Sequence, residues 1–129
     1  TLVASYFFGA RVGVVVGVFA PVINLLVTGL PALAFAATMS VELAVFAVAV
    51  AAGVRRWPRF VLIAPLAYVL GRLASTAVLG VTGAFADLDA AVDFVTRALS
   101  GGVAGLVVLS AIHAALVWFY PKSARASAE

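Results

Sequence analysis

The sequence contains no cysteine, so disulfide bridges, thiolate metal centres and thiol redox chemistry are excluded. Charge is scarce as well: 10% of residues are charged and 66% hydrophobic, where a soluble domain carries about 25% charged residues. That balance rules out an ordinary water-soluble globule and describes a chain suited to a lipid bilayer. The sequence has one histidine and, inside its apolar runs, one carboxylate, Glu42. These are too few groups for an acid, a base and a nucleophile, so neither an enzyme nor a bound cofactor or metal is expected. No glycine-rich loop ends in Lys-Ser or Lys-Thr, and the chain therefore has no phosphate-cradling loop of its own. The formal charge of +3 comes from eight basic residues scattered between apolar stretches. They form none of the basic stripe that nucleic acid requires.

What fills the chain is apolar sequence in runs of membrane-crossing length. Every face of such a run is apolar, so length, breakers and charges must locate the helices rather than periodicity. Four spans are predicted: Val12 to Val27, closed by "TGLP"; Ala32 to Gly53; Phe60 to Val81; and Leu99 to Tyr120. Each is near the roughly 20 residues a crossing helix needs. Thr1 to Phe8 is apolar but too short to cross, and reads as the end of a truncated helix. The expected fold is all-α, a polytopic integral membrane bundle in a single domain over residues 1–129, with five helices represented of a parent six.

Arg11, the "RRWPR" turn with Arg55, Arg56 and Arg59, and a tail over residues 121–129 with Lys122 and Arg125 place basic residues at alternate connections. By the positive-inside rule these sides are cytoplasmic. The opposite side receives "TGLP" and the connection 82–97 with Asp87, Asp89 and Asp93, which is therefore external. Within that connection Leu88, Val92 and Val95 are spaced as one face of a short amphipathic helix, a lid over an external pocket; a solvated loop is the alternative. Glycines at four-residue spacing, Gly9, Gly13 and Gly17, then Gly101 and Gly105, are suited to close helix packing or to docking a partner in lipid.

Ionisable groups at bilayer depth cost about 2.5–3.5 kcal/mol each even on permissive scales, so they mark pairs or sites. Glu42 and Arg72 fall at similar depth on neighbouring spans and are expected to pair. Tyr68 and Thr76 share a helix face with Arg72, and Thr38 shares one with Glu42. With Asn24, near the external end of its own helix, these residues form the expected substrate-binding patch around one outward-facing cavity. His113 is expected to make an interhelical hydrogen bond rather than to relay protons.

The order of "FFGARVGVVVGVFAP", "TGLP", "MSVEL", "LAYVLGRLAS" and "GGVAGLVVLSAIHAALV" resembles the substrate-binding component, or S component, of energy-coupling factor (ECF) transporters. The resemblance implies six helices with both termini inside, and a ligand pocket near the outer face of a bacterial inner membrane. It implies capture of a vitamin or related micronutrient, with uptake driven by a transmembrane coupling protein and two cytosolic ATPases. The family's contact with its coupling protein uses small residues on the first helix, which this chain lacks. Two other readings stay open: a noncatalytic inner-membrane scaffold or assembly protein, which would use the glycine faces without a cavity, and a proton-coupled carrier.

Overall fold

A computed structural model describes residues 1–30 and 32–121; the tail charges Lys122 and Arg125 lie outside the described residues. The chain is all-helical, with five helices in the order α1 (Leu2–Thr28), α2 (Leu33–Arg56), α3 (Ile63–Val81), α4 (Leu88–Gly101) and α5 (Val103–Phe119), and no strand among the described residues. Three of them, α1, α2 and α3, are long and apolar enough to cross a membrane, and α4 with α5 adds a fourth if that bent pair is one span.

α1 is broken at Gly9, whose φ of 81° and ψ of −173° are not helical. Such a φ is open to glycine at little cost because it has no Cβ. The chain folds back there. Ser5 and Gly13 lie in contact, with the Ser5 Cα 3.0 Å from where a Gly13 Cβ would stand, whereas about 12 Å would separate them along a continuous helix. The short segment 1–8 is thus set off from the following span. The far end of α1 closes at Gly29, also left-handed at φ 73°, whose N–H bonds the Leu25 carbonyl.

The last span differs from expectation. Leu99 to Tyr120 is not one straight helix, because Leu99 to Gly101 belong to α4 and the axis bends by 59° before α5 begins at Val103. The adjacent glycines Gly101 and Gly102 weaken helical continuity at the bend. A Cβ on Gly102 would also stand 2.9 Å from the Ala98 carbonyl and 3.0 Å from the Tyr68 hydroxyl. α3 likewise begins at Ile63 rather than Phe60, since the chain after Trp57 first makes two turns, Phe60 N–H to Trp57 C=O and Ile63 N–H to Phe60 C=O. The connection 82–97 is largely helical: Asp87 caps α4 by accepting from the Ala90 N–H at 2.8 Å, which satisfies one of the donors a helix start leaves open.

α2 is the central helix, packed between α1 and α3. Small residues set both approaches. A Cβ on Gly17 of α1 would stand 2.8 Å from the Leu43 carbonyl, and one on Gly71 of α3 2.7 Å from the Glu42 carbonyl, so neighbouring backbones close on α2 from two sides at adjacent residues. On α3 the buried Ala64, Ala67, Gly71 and Ser75 form a seam of small side chains, the arrangement that lets helices gain dispersion energy where lipid supplies no hydrophobic drive.

The buried apolar core lies toward the arginine-bearing end of the bundle, which we call the basic end. It joins Leu2 and Tyr6 of α1, Phe46, Val50 and Val54 of α2, and Ile63, Ala64 and Ala67 of α3, with Leu109, Leu116 and Val117 of α5 packed against them. Tyr6, fully buried, donates to the Tyr120 carbonyl at 2.8 Å and ties the first limb of α1 to the end of α5. His113, also fully buried, lies with Nε2 3.3 Å from the Phe60 carbonyl. A carbonyl only accepts, so Nε2 carries the proton; the bond expected of His113 is made, but to the backbone of the connection ahead of α3 rather than to another helix.

Candidate functional site

The opposite half of the bundle, the acidic end, carries Asp87, Asp89 and Asp93. Glu42 lies nine residues into α2, about 14 Å from its start, and Arg72 reaches it across the seam with Nη2 3.1 Å from Oε1. The close approach at Gly71 makes the pair possible: any side chain there would push α3 away from the Glu42 backbone. Arg72 also donates from Nη2 to the Tyr68 hydroxyl at 3.2 Å, with its guanidinium carbon 5.6 Å from the Tyr68 ring centre. The Glu42 side chain is 9% exposed and that of Arg72 22%. Each charge is thus compensated inside an otherwise apolar span, as burial demands.

The pair opens on a cavity of about 220 Å³. α2 contributes Phe35, Thr38, Met39 and Glu42, α3 contributes Arg72, Ser75 and Leu79, and α4 lays Phe94 and Ala98 across it. Phe94 is held by Phe85, ring centre to ring centre 5.4 Å. A second cavity, of about 240 Å³, lies toward the basic end and is bordered by Leu2, Leu43, Phe46, Tyr68 and Leu109 together with Glu42. Glu42 borders both, Arg72 the first and Tyr68 the second, so the three side chains form a polar partition between two apolar chambers.

Four of the six expected site residues, Thr38, Glu42, Tyr68 and Arg72, gather at this partition or its walls. Two do not. Asn24 is exposed near the "TGLP" turn, where its amide donates to the Leu30 carbonyl at 2.9 Å and its own carbonyl accepts from Thr28 at 2.8 Å; it holds the turn, away from the cavity. Thr76 spends its hydroxyl on the Arg72 carbonyl of its own helix at 2.8 Å and lines neither cavity. Its neighbour Ser75, not anticipated, stands beside the Glu42 carboxylate and bonds the Arg72 carbonyl at 2.9 Å. Gly71 and Ser75, four apart on the buried face, are the signal that would have found it.

The glycine expectations divide in the same way. Gly9 turns the chain, Gly13 meets Ser5 and Gly17 meets α2, whereas Gly101 and Gly105 have nothing within 4 Å of an added Cβ among the described residues, so they do not pack inside the bundle and the docking half of the expectation is untouched. Their four-residue spacing states only that they share a face, not that a neighbour lies opposite. The lid face also differs. Leu88 and Val92 are exposed, and α4 turns Phe94 and Ala98 inward instead, because a small residue beside a ring anchored on Phe85 lets the helix lie close to α3. Among the described residues no group of three or more His, Asp or Glu could hold a metal.

No family model matches the chain, and no curated protein or solved structure matches it significantly.

Proposed function

We propose that this protein is the membrane-embedded substrate-binding subunit of an ECF-type uptake transporter. It captures a vitamin or related small micronutrient at the external face and relies on a coupling protein and two cytosolic ATPases for transport. The observation that carries this reading is the cavity at the acidic end, which sets one buried ion pair into apolar walls under a short amphipathic helix. Mostly apolar walls with a few convergent polar groups are the usual make-up of a small-molecule site. The charge distribution supports an external position for that end, and α4 there would serve as a lid that a ligand closes. The scaffold alternative keeps one glycine face open for a partner, Gly101 and Gly105, while Gly13 and Gly17 are occupied within the chain; it leaves the cavity and its ion pair without a role.

The test is to purify the protein from its native membrane in mild detergent, release bound small molecules by denaturation and identify them by mass spectrometry alongside the co-purifying proteins. A stoichiometric micronutrient together with ATPase subunits is expected. Protein that emerges folded, without any small molecule and without ATPases, would overturn the proposal.

A further inference from the structure

α5 is short for a bilayer. Its 17 residues rise about 26 Å, against about 30 Å of hydrocarbon, and any tilt shortens that reach. At the basic end the exposed rings of Trp118, Phe119 and Tyr120 form the kind of aromatic belt that holds a helix end at the interface. Measured from there, the elbow at Gly102 falls short of the opposite edge of the hydrocarbon. The pair is long and apolar enough to cross only when α4 and α5 are taken together, with their 59° bend. The turn of α4 next to the elbow therefore starts inside lipid, and the helix rises obliquely from it.

The faces of α4 are sorted for that position. Phe94 and Ala98 line the cavity. Beside them Leu88, Val92, Val95 and Leu99 follow one another at helical spacing as a second apolar stripe, and no described residue covers its outer part: Leu88 is 78% exposed and Val92 55%. The remaining side carries Asp89, Asp93, Thr96 and Ser100, with Arg97 paired to Asp93 at 2.8 Å. A helix lying on a membrane uses such a division, its apolar stripe sunk into the boundary of headgroups and acyl chains and its charges in water. The row also continues past the elbow in Val103 and Val107, both exposed on α5, so the uncovered stripe runs into the surface that α5 turns to lipid. We propose that α4 is seated in the bilayer leaflet at the acidic end, with acyl chains against Leu88, Val92, Val95 and Leu99 and with Asp89 and Asp93 in water. Its partner is the lipid surface. The cover of the cavity is held by the membrane on one flank and by Phe94 on the other, whatever molecule the cavity takes, so this inference stands apart from the binding-subunit reading.

Because the chain has no cysteine, single nitroxide labels can be attached at Leu88→Cys, Val92→Cys, Asp89→Cys and Asp93→Cys, with Val107→Cys as the lipid-facing reference. The whole protein is placed in nanodiscs of phosphatidylcholine and phosphatidylglycerol, and power-saturation EPR reads collisions with oxygen, which concentrates among acyl chains, and with a nickel chelate confined to water. The ratio of oxygen to nickel collisions is expected to be several-fold higher at positions 88 and 92 than at 89 and 93, and to approach the value at 107. Equal ratios at all four positions would put the stripe in water and overturn the proposal. Few collisions with either reagent at 88 and 92 would mean that a protein surface, a second copy or another chain, covers the stripe, and would overturn it too. A second readout needs no label. Val92→Gln replaces an exposed valine with a better helix former, so a water-facing α4 would exchange its amides no faster, whereas a lipid-seated one is expected to lose its hold and exchange several-fold faster over residues 88–101. Unchanged or slower exchange in nanodiscs would contradict the proposal.

Discussion

The two ends of the bundle are built from similar residues but packed differently. At the basic end Tyr6, Phe46, Val50, Ile63 and Ala67 are buried together, and Tyr6 and His113 each bond a backbone carbonyl of another segment. At the acidic end α4 has no buried residue, the helices line a cavity, and Glu42, Arg72 and Tyr68 face one another side chain to side chain, while Ser75 and Thr76 bond the carbonyl of their own helix. Stability at the first end comes from close packing and at the second from one ion pair. Both ends border a cavity, but only the one at the acidic end combines the Glu42–Arg72 pair with a covering helix that has no buried residue. In lipid this contrast depends on where small residues let backbones meet, since apolar surface gains little by leaving one apolar medium for another.

The largest expected break in that contrast is at the ion pair. Glu42→Leu or Arg72→Leu alone leaves a buried charge without its partner, and each should lower stability by up to about 3 kcal/mol, read as a fall in the melting temperature of detergent-solubilised protein. Next is the seam. Gly71→Ala forces a Cβ against the Glu42 carbonyl and should cost about 1–3 kcal/mol through overpacking. Gly105→Ala, which meets open space, should leave the protein unchanged or gain up to about 1 kcal/mol in helix propensity. Equal behaviour of these two variants would show that the glycine at the pair has no special role.

At the basic end, Tyr6→Phe removes the bond to the Tyr120 carbonyl and should cost about 1 kcal/mol without altering the cavity, so stability should fall while small-molecule binding persists. The smallest global effect is expected from Asp87→Ala. Loss of the cap should loosen α4 by about 1 kcal/mol locally, seen as faster hydrogen exchange over residues 88–101, with the melting temperature little changed. A global loss of stability from that substitution would mean that α4 is part of the core rather than a cover.

These differences also explain which features could be read before the structure. Glycines at chain reversals were legible, because Gly9 and Gly29 stand where an apolar run meets a turn and both adopt positive φ. The pairing of Glu42 with Arg72 was legible from depth alone, since two lone opposite charges on neighbouring spans have few alternatives in lipid. Helix rotation was not. Ser75 and Thr76 are adjacent, and only the packing of the Gly71 face against α2 decides that Ser75 joins the pair while Thr76 bonds its own helix. The inward face of α4 was hidden for a similar reason, because its sequence carries two apolar stripes and the Phe85–Phe94 contact selects one. Asn24 was misplaced because a polar residue at a helix end can serve a cavity or a turn, and residue type alone does not separate the two.

The central claim is that the ion pair belongs to a binding site rather than serving only to neutralise itself. The most direct test is the double variant Glu42→Leu/Arg72→Leu, since replacing a purely structural buried pair with apolar residues of similar size can be nearly neutral. The variant and the parent would be purified from the same cells, their melting temperatures compared, and their denatured extracts assayed for the small molecule that accompanies the parent. The account predicts a double variant that regains most of the stability lost in either single variant but carries none of that molecule. A folded double variant with the parent's full complement would contradict it and show that Glu42 and Arg72 answer only to each other.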